Sequence, residues 1–174
     1  MNASFRSAIG SPWTEMEPVR VGRVLPGKGT PGVFVIAEEN DKPVLRIDVY
    51  DLAPEQSPFA ECIAWKHWIV IGIGHHLYLV PLAADNPSTL DLDAYFGQLY
   101  PLDHCLLVAS GQRLFCLATD GIVKWSSREL GIDGVVVSRV SDGIIDGEGE
   151  WDPPGGWKPF RISLDSGSPI LQSR

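Results

Sequence analysis

Five carboxylates and two tryptophans fall within the sixteen residues 142–157, which read Asp-Gly-Ile-Ile-Asp-Gly-Glu-Gly-Glu-Trp-Asp-Pro-Pro-Gly-Gly-Trp. Glycines let a backbone bend, so neighbouring carboxylates can approach one another as in a calcium site or a general acid–base pair. The spacing does not match the EF-hand pattern, however. We therefore predict no catalytic residue, no metal ligand and no cofactor in this segment.

The tryptophans of this segment favour a binding role. A rigid aromatic side chain beside charged groups is typical of the energetically important centre of a protein interface. We predict an exposed loop over residues 142–157 that binds another, basic protein, as an immunity protein that neutralises a basic toxin does. A solvated hairpin loop without a partner remains the plain alternative. The predicted partner-binding residues are Asp146, Glu148, Glu150, Trp151, Asp152 and Trp157.

The alternative function is a small carboxylate-dependent or metal-dependent hydrolase that uses carboxylates of residues 142–157 with His75, His76 or His104. His75 and His76 are adjacent in a predicted turn, where extended neighbours point to opposite faces and are poorly placed to bind one metal ion. The run from Asp103 to Cys105 contains the residue types of a nucleophilic triad, but contiguous residues cannot form one with each other. An enzyme is therefore the less favoured interpretation.

Four pairs of short apolar runs, each interrupted by a turn, indicate the fold class. Runs of strand length without a long helix between them predict an all-β antiparallel meander of about four hairpins, arranged like a propeller or a sandwich. Exposed edge strands allow a second alternative, a structural unit that assembles as a homodimer. The predicted pairs are Val33–Ala37 with Val44–Val49, Trp68–Ile73 with Leu77–Val80, Leu106–Ala109 with Leu114–Leu117, and Val135–Val137 with Phe160–Leu164.

One short α-helix is predicted near residues 89–100. Ser88 and Asp91 have the spacing of a helix N-terminal capping box, and Pro101 would end the helix. Between them, four apolar residues follow the i, i+3, i+4, i+7 pattern of one helical face. These residues are Leu92, Tyr95, Phe96 and Leu99.

The run Leu114–Trp125 resembles the strand–turn–strand core of a β-propeller blade of the pyrroloquinoline-quinone-repeat type. In such blades an apolar strand leads into a glycine turn that a tryptophan follows. Residues 160–167 resemble the same element without the tryptophan, and Leu77–Leu82 matches only the strand. The resemblance implies a propeller-like arrangement of hairpins and no cofactor, since structural propellers share the pattern.

Bulk composition narrows the class of protein further. A net charge of −8 argues against nucleic-acid binding, which needs a concentrated basic face. Three cysteines without metal-type spacing, together with the absence of a leader-like segment or a long apolar run, predict a cytoplasmic protein that does not enter membranes. Residues 1–18 lack periodicity and are predicted to form a loosely structured arm, and residues 19–174 one all-β domain.

Overall fold

A computed structural model describes residues 1–23, 29–50, 59–83 and 86–170. The prediction of an all-β protein is confirmed, because fifteen strands and one 3₁₀ turn (Trp13–Glu15) make up the regular structure of these residues. None of their helices is long and apolar enough to cross a membrane. The strands are β1 Asn2–Arg6, β2 Val19–Gly22, β3 Val33–Glu39, β4 Lys42–Tyr50, β5 Ala60–Trp65, β6 Trp68–Ile73, β7 His76–Pro81, β8 Ser88–Asp91, β9 Phe96–Pro101, β10 Cys105–Ser110, β11 Leu114–Ala118, β12 Val123–Ser126, β13 Val135–Ser141, β14 Ile144–Glu150 and β15 Trp157–Ser163.

The chain forms two compact units, Met1–Asp91 and Leu92–Arg174. The segment 1–18, which the sequence predicts to be a loose arm, contributes strand β1 to the first unit. This strand pairs with β3 along its whole length, from Asn2 opposite Glu38 to Arg6 opposite Phe34. The segment also holds the 3₁₀ turn, whose Trp13 side chain is buried.

The first unit contains sheet I, in the order β1-β3-β4-β2, and sheet II, in the order β5-β6-β7-β8. All neighbouring strands are antiparallel except β2, which lies parallel to β4. Alternate residues of the two sheets are apolar and meet in one core, so their burial holds the unit together. Sheet I contributes Val35, Ala37, Leu45, Ile47 and Val49, and sheet II contributes Ile69, Ile71, Ile73, Tyr78 and Val80.

The second unit contains sheet III, in the order β12-β11-β10-β9, and sheet IV, in the order β13-β14-β15. In this unit too, one apolar core joins a face of each sheet. Sheet III presents Cys105, Leu107, Ala109, Leu114 and Cys116 to it, and sheet IV presents Val135, Val137, Ile145 and Ile162. Sheet IV therefore has an inner face in this core and an opposite, outer face.

The α-helix predicted near residues 89–100 is wrong, because this stretch forms strands β8 and β9. Strand β8 pairs with β7, and β9 pairs with the fully buried strand β10. Backbone pairing with a buried neighbour satisfies the polar groups of β9 at least as well as a short helix would.

A β-bulge explains why β9 has helix-like apolar spacing. Phe96 lies opposite Ser110 and Gln98 lies opposite Ala109, so Gly97 is an additional residue in β9. The extra residue turns Phe96 and Leu99 towards the same face, where both are buried. An i, i+3 apolar pattern therefore arises here from a bulged strand.

Candidate functional site

Residues 142–157 do not form one loop, which corrects the sequence prediction. Ile144–Glu150 is strand β14 and the middle strand of sheet IV, with β13 on one side and β15 on the other. Only the turn at Asp142–Gly143 and the turn over residues 151–156 connect strands. Most of the acidic residues therefore lie on a rigid sheet and not on a loop.

Strand periodicity places the acidic residues of β14 on the outer face of sheet IV. Side chains alternate across a strand, so Asp146, Glu148 and Glu150 point away from the core that contains Ile145. Glycine occupies the two inward positions, 147 and 149. Neighbouring backbone and the Phe160 ring fill the space that a side chain would need there.

Apolar side chains on the neighbouring strands flank Glu148 and Glu150, whereas Arg139 of β13 and Arg161 of β15 lie opposite Asp146. Val136 of β13 and Pro159 of β15 lie directly opposite Glu148, and Trp157 lies opposite Glu150. Val136 is 45% exposed and Trp157 is 41% exposed. We define the outer face as the surface formed by Val136, Arg139, Asp146, Glu148, Glu150, Trp157, Pro159 and Arg161.

The three carboxylates of the outer face differ in their partners. Asp146 accepts a hydrogen bond from Arg161 Nε at 2.9 Å, in an ion pair across β14 and β15. Glu150 Oε1 accepts the backbone N–H of Gly155 at 2.6 Å, which ties it to the following turn. Within the described part of the chain, no hydrogen bond or ion pair is formed by the Glu148 carboxylate, which is exposed to solvent. Glu148 is therefore the carboxylate available to a partner.

The remaining predicted site residues, Trp151 and Asp152, lie in the turn after β14. Trp151 lines an open groove of about 550 Å³ together with Arg113, Arg128 and Glu129. The Nζ atom of Lys158 lies 5.8 Å from the centre of a Trp151 ring, so a cation already covers that aromatic. Asp152 is exposed in the turn. Trp151 thus faces a groove whose lining includes neither Glu148 nor Trp157.

The histidines of the hydrolase alternative have separate surroundings. His76 lies 3.4 Å from Asp91, between Nε2 and Oδ1, and stacks on Tyr78 with ring centres 5.7 Å apart. His75 and His104 are exposed. Across residues 1–23, 29–50, 59–83 and 86–170, no group of three or more histidine, cysteine, aspartate or glutamate side chains could hold a metal ion.

The cysteines are free thiols in environments that disfavour the thiolate. Burial raises the pKa of Cys105 and raises the pKa of Cys116 to about 12. Burial, with the Glu61 charge, raises the pKa of Cys62 to about 11. A nucleophilic cysteine needs a lowered pKa, so none of the three is prepared for attack.

Sequence reasoning missed Val136, Pro159 and Arg161 as neighbours of the acidic residues. The missed signal is the strict period of two in Asp146-Gly-Glu-Gly-Glu150, which is the period of a strand. Glycine hides this period because it has no apolar side chain to mark the buried positions. Comparison with known proteins adds no assignment, since no protein-family model and no curated protein matches the chain.

Proposed function

We propose that this chain is a non-catalytic protein-binding module that engages a basic protein partner through the outer face of sheet IV. One observation supports this proposal above the others: Glu148, exposed and without an intramolecular partner in the described chain, lies between the exposed Val136 and Pro159. The exposed Trp157 is its diagonal neighbour on β15. Apolar contacts give affinity, and a charge without a partner selects the complementary surface.

The position of these residues on paired strands favours a binding surface that is already formed before a partner arrives. Glu148 and Trp157 project from paired strands, and backbone hydrogen bonds and the core fix both strands before a partner arrives. A rigid surface loses little conformational entropy on binding, so more of the contact energy is retained as affinity. We propose an immunity-like role in the cytoplasm, directed against a basic toxin, and the net charge of −8 supports a basic partner.

Affinity capture with matched variants tests the proposal. The 174-residue chain is immobilised and exposed to a lysate of cells that encode it, beside a Glu148→Lys/Trp157→Ala variant and an Asp165→Lys control. Asp165 is an exposed acid outside the outer face. We expect a basic protein to be retained by the wild type and the control and lost by the outer-face variant. Equal retention by all three folded baits contradicts the proposal.

A second candidate function is self-assembly of a propeller-like unit through an edge strand. The resemblance to a propeller blade covers strands β11 and β12, and β12 is an edge of sheet III. Ile122, just before this strand, is 66% exposed and Val123 is 36% exposed, and exposed apolar edges favour pairing. Sedimentation equilibrium of the wild type and of Ile122→Lys tests this: a dimer that the substitution dissociates supports it, and a monomeric wild type removes it.

A further inference from the structure

The first unit shows how this protein holds an arginine on a sheet. The guanidinium of Arg46 forms two hydrogen bonds to Asp48, at 2.8 Å from Nε to Oδ1 and 2.9 Å from Nη2 to Oδ2. Its Cζ atom also lies 5.6 Å from the centre of the Phe34 ring. Phe34 is directly opposite Asp48 on the neighbouring strand. A carboxylate and a ring on adjacent strands therefore contact one guanidinium, whose Nη1 also donates to the backbone carbonyls of Trp13 and Met16.

The outer face of sheet IV has the same two groups without the arginine. Trp157 lies opposite Glu150, and Glu148 is two residues from Glu150 on the same strand. Diagonal neighbours of this kind have Cα atoms about 7–8 Å apart, so a group placed between their side chains reaches both. Glu148 thus supplies a carboxylate and Trp157 supplies a ring. They are diagonal neighbours, whereas Asp48 and Phe34 of the first unit are directly opposite each other.

The cations of sheet IV itself are engaged elsewhere. Arg161 pairs with Asp146, Arg139 Nε donates to Ser141 Oγ at 2.8 Å, and Lys158 lies over Trp151. In the part of the chain that the structure describes, no cation of the protein occupies the position between Glu148 and Trp157.

We propose that Glu148 and Trp157 together bind an arginine side chain of the protein partner. This inference rests on the proposed function and names the chemical group that the outer face recognises. A guanidinium is planar, so it pairs with a carboxylate through two N–H groups while its face lies against an aromatic ring. A lysine ammonium cannot make both contacts with the same geometry. Val136 and Pro159, directly opposite Glu148, provide apolar surface for the methylene groups of the arginine.

A peptide titration of the 174-residue chain tests this inference without knowledge of the partner. Acetyl-Gly-Arg-Gly-amide and its lysine counterpart are added to ¹⁵N-labelled protein, and NMR chemical shifts follow the Glu148 amide and the Trp157 indole N–H. We expect both signals to shift, with an affinity about fivefold higher for the arginine peptide. Glu148→Gln should remove this preference, and Asp165→Asn, which changes the net charge equally, should leave it intact.

Several results overturn the inference. They are equal affinity for the two peptides, unchanged binding by Glu148→Gln, and no shift at Glu148 and Trp157 at the highest peptide concentration. Shifts of the same signals with protein concentration alone would identify a second copy of the chain as the occupant, and would also overturn it. The capture experiment separates this outcome from failure of the proposed function. Capture that is sensitive to Glu148→Lys/Trp157→Ala with no arginine preference leaves the binding module standing and removes only the arginine.

Discussion

Gly149 of β14 lies directly against the backbone carbonyl of Leu130, so closely that a methyl group at position 149 would overlap the carbonyl oxygen. Leu130 belongs to the core of the second unit. The glycine therefore lets the segment before β13 pack onto the inner side of the strand whose outer side carries Glu148 and Glu150. The outer face depends on this contact for its position.

Gly149→Ala should lower the free energy of unfolding by about 3 kcal/mol, because the added methyl group forces backbone apart in a packed region. Urea unfolding of the purified protein measures the change. Gly10→Ala is the control, since a Cβ at Gly10 meets nothing within 4 Å. A Gly149→Ala protein as stable as the control would show that the packing of Gly149 against Leu130 is loose enough to admit a methyl group.

Ser127→Ala should destabilise the second unit by about 1–3 kcal/mol. The buried Ser127 Oγ accepts the Leu114 N–H at 3.0 Å and donates to the Arg128 carbonyl at 2.7 Å, so its removal leaves two backbone groups without this partner. The neighbouring Ser126 is exposed, and Ser126→Ala should change stability by less than about 0.5 kcal/mol. Thermal unfolding of the two variants in parallel checks the contrast, and equal melting temperatures contradict it.

Asp48→Ala should be more costly than loss of a surface ion pair. Asp48 is buried and accepts two hydrogen bonds from the Arg46 guanidinium. Its removal leaves a mostly buried cation with only the backbone carbonyls of Trp13 and Met16 as acceptors, and costs about 3 kcal/mol. The Arg20–Glu17 pair is exposed, and Glu17→Ala should cost about 0.5 kcal/mol or less. Denaturant midpoints of both variants provide the measurement. Similar costs would mean that Arg46 finds other partners or water.

Tyr95 should make stability depend on alkaline pH. Burial, with the negative charges of Asp133 and Glu150, raises the pKa of Tyr95 from 10.0 to about 12, and its hydroxyl donates to the Asp133 carbonyl at 2.5 Å. The unfolded chain loses this proton from pH 10 upwards while the folded chain keeps it, so the free energy of unfolding falls between pH 10 and 12.

Tyr95→Phe removes this group and should show a shallower fall over the same pH interval than the wild type. Because the substitution also deletes a hydrogen bond, the slopes against pH are compared and not the absolute stabilities. Parallel slopes would indicate that Tyr95 titrates alike in the folded and unfolded chains.

The sequence predicts the all-β class because apolar runs of strand length mark the buried strands directly, as at β6 and β10. It fails at residues 89–100 because a bulge at Gly97 changes the strand period locally, and hydropathy alone does not distinguish a bulged strand from a helix. The local hydropathy pattern identifies which residues are buried, but it does not show whether a helix or a strand carries them.

The sequence predicts only some of the residues that strand pairing brings together in the candidate site. Asp146, Glu148, Glu150 and Trp157 lie together, but on a sheet, and Trp151 faces a separate groove. A glycine-rich, acidic sequence is typical of loops, so the sequence alone indicates a loop where the structure has strand β14. The residues that complete the outer face, Val136 and Pro159, are brought to Glu148 by strand pairing, which depends on register and not on sequence distance.

Glycine and carboxylate alternate in β14, and the two sets of positions differ in how much substitution they tolerate. Positions 147 and 149 are fixed by their close contacts and tolerate no side chain, whereas positions 146, 148 and 150 face outwards. Descendant sequences can therefore exchange or reverse the outward charges without repacking the interior. If the outer face binds a partner as we propose, substitutions at these three positions would change which partner is bound while the packing of the interior is kept.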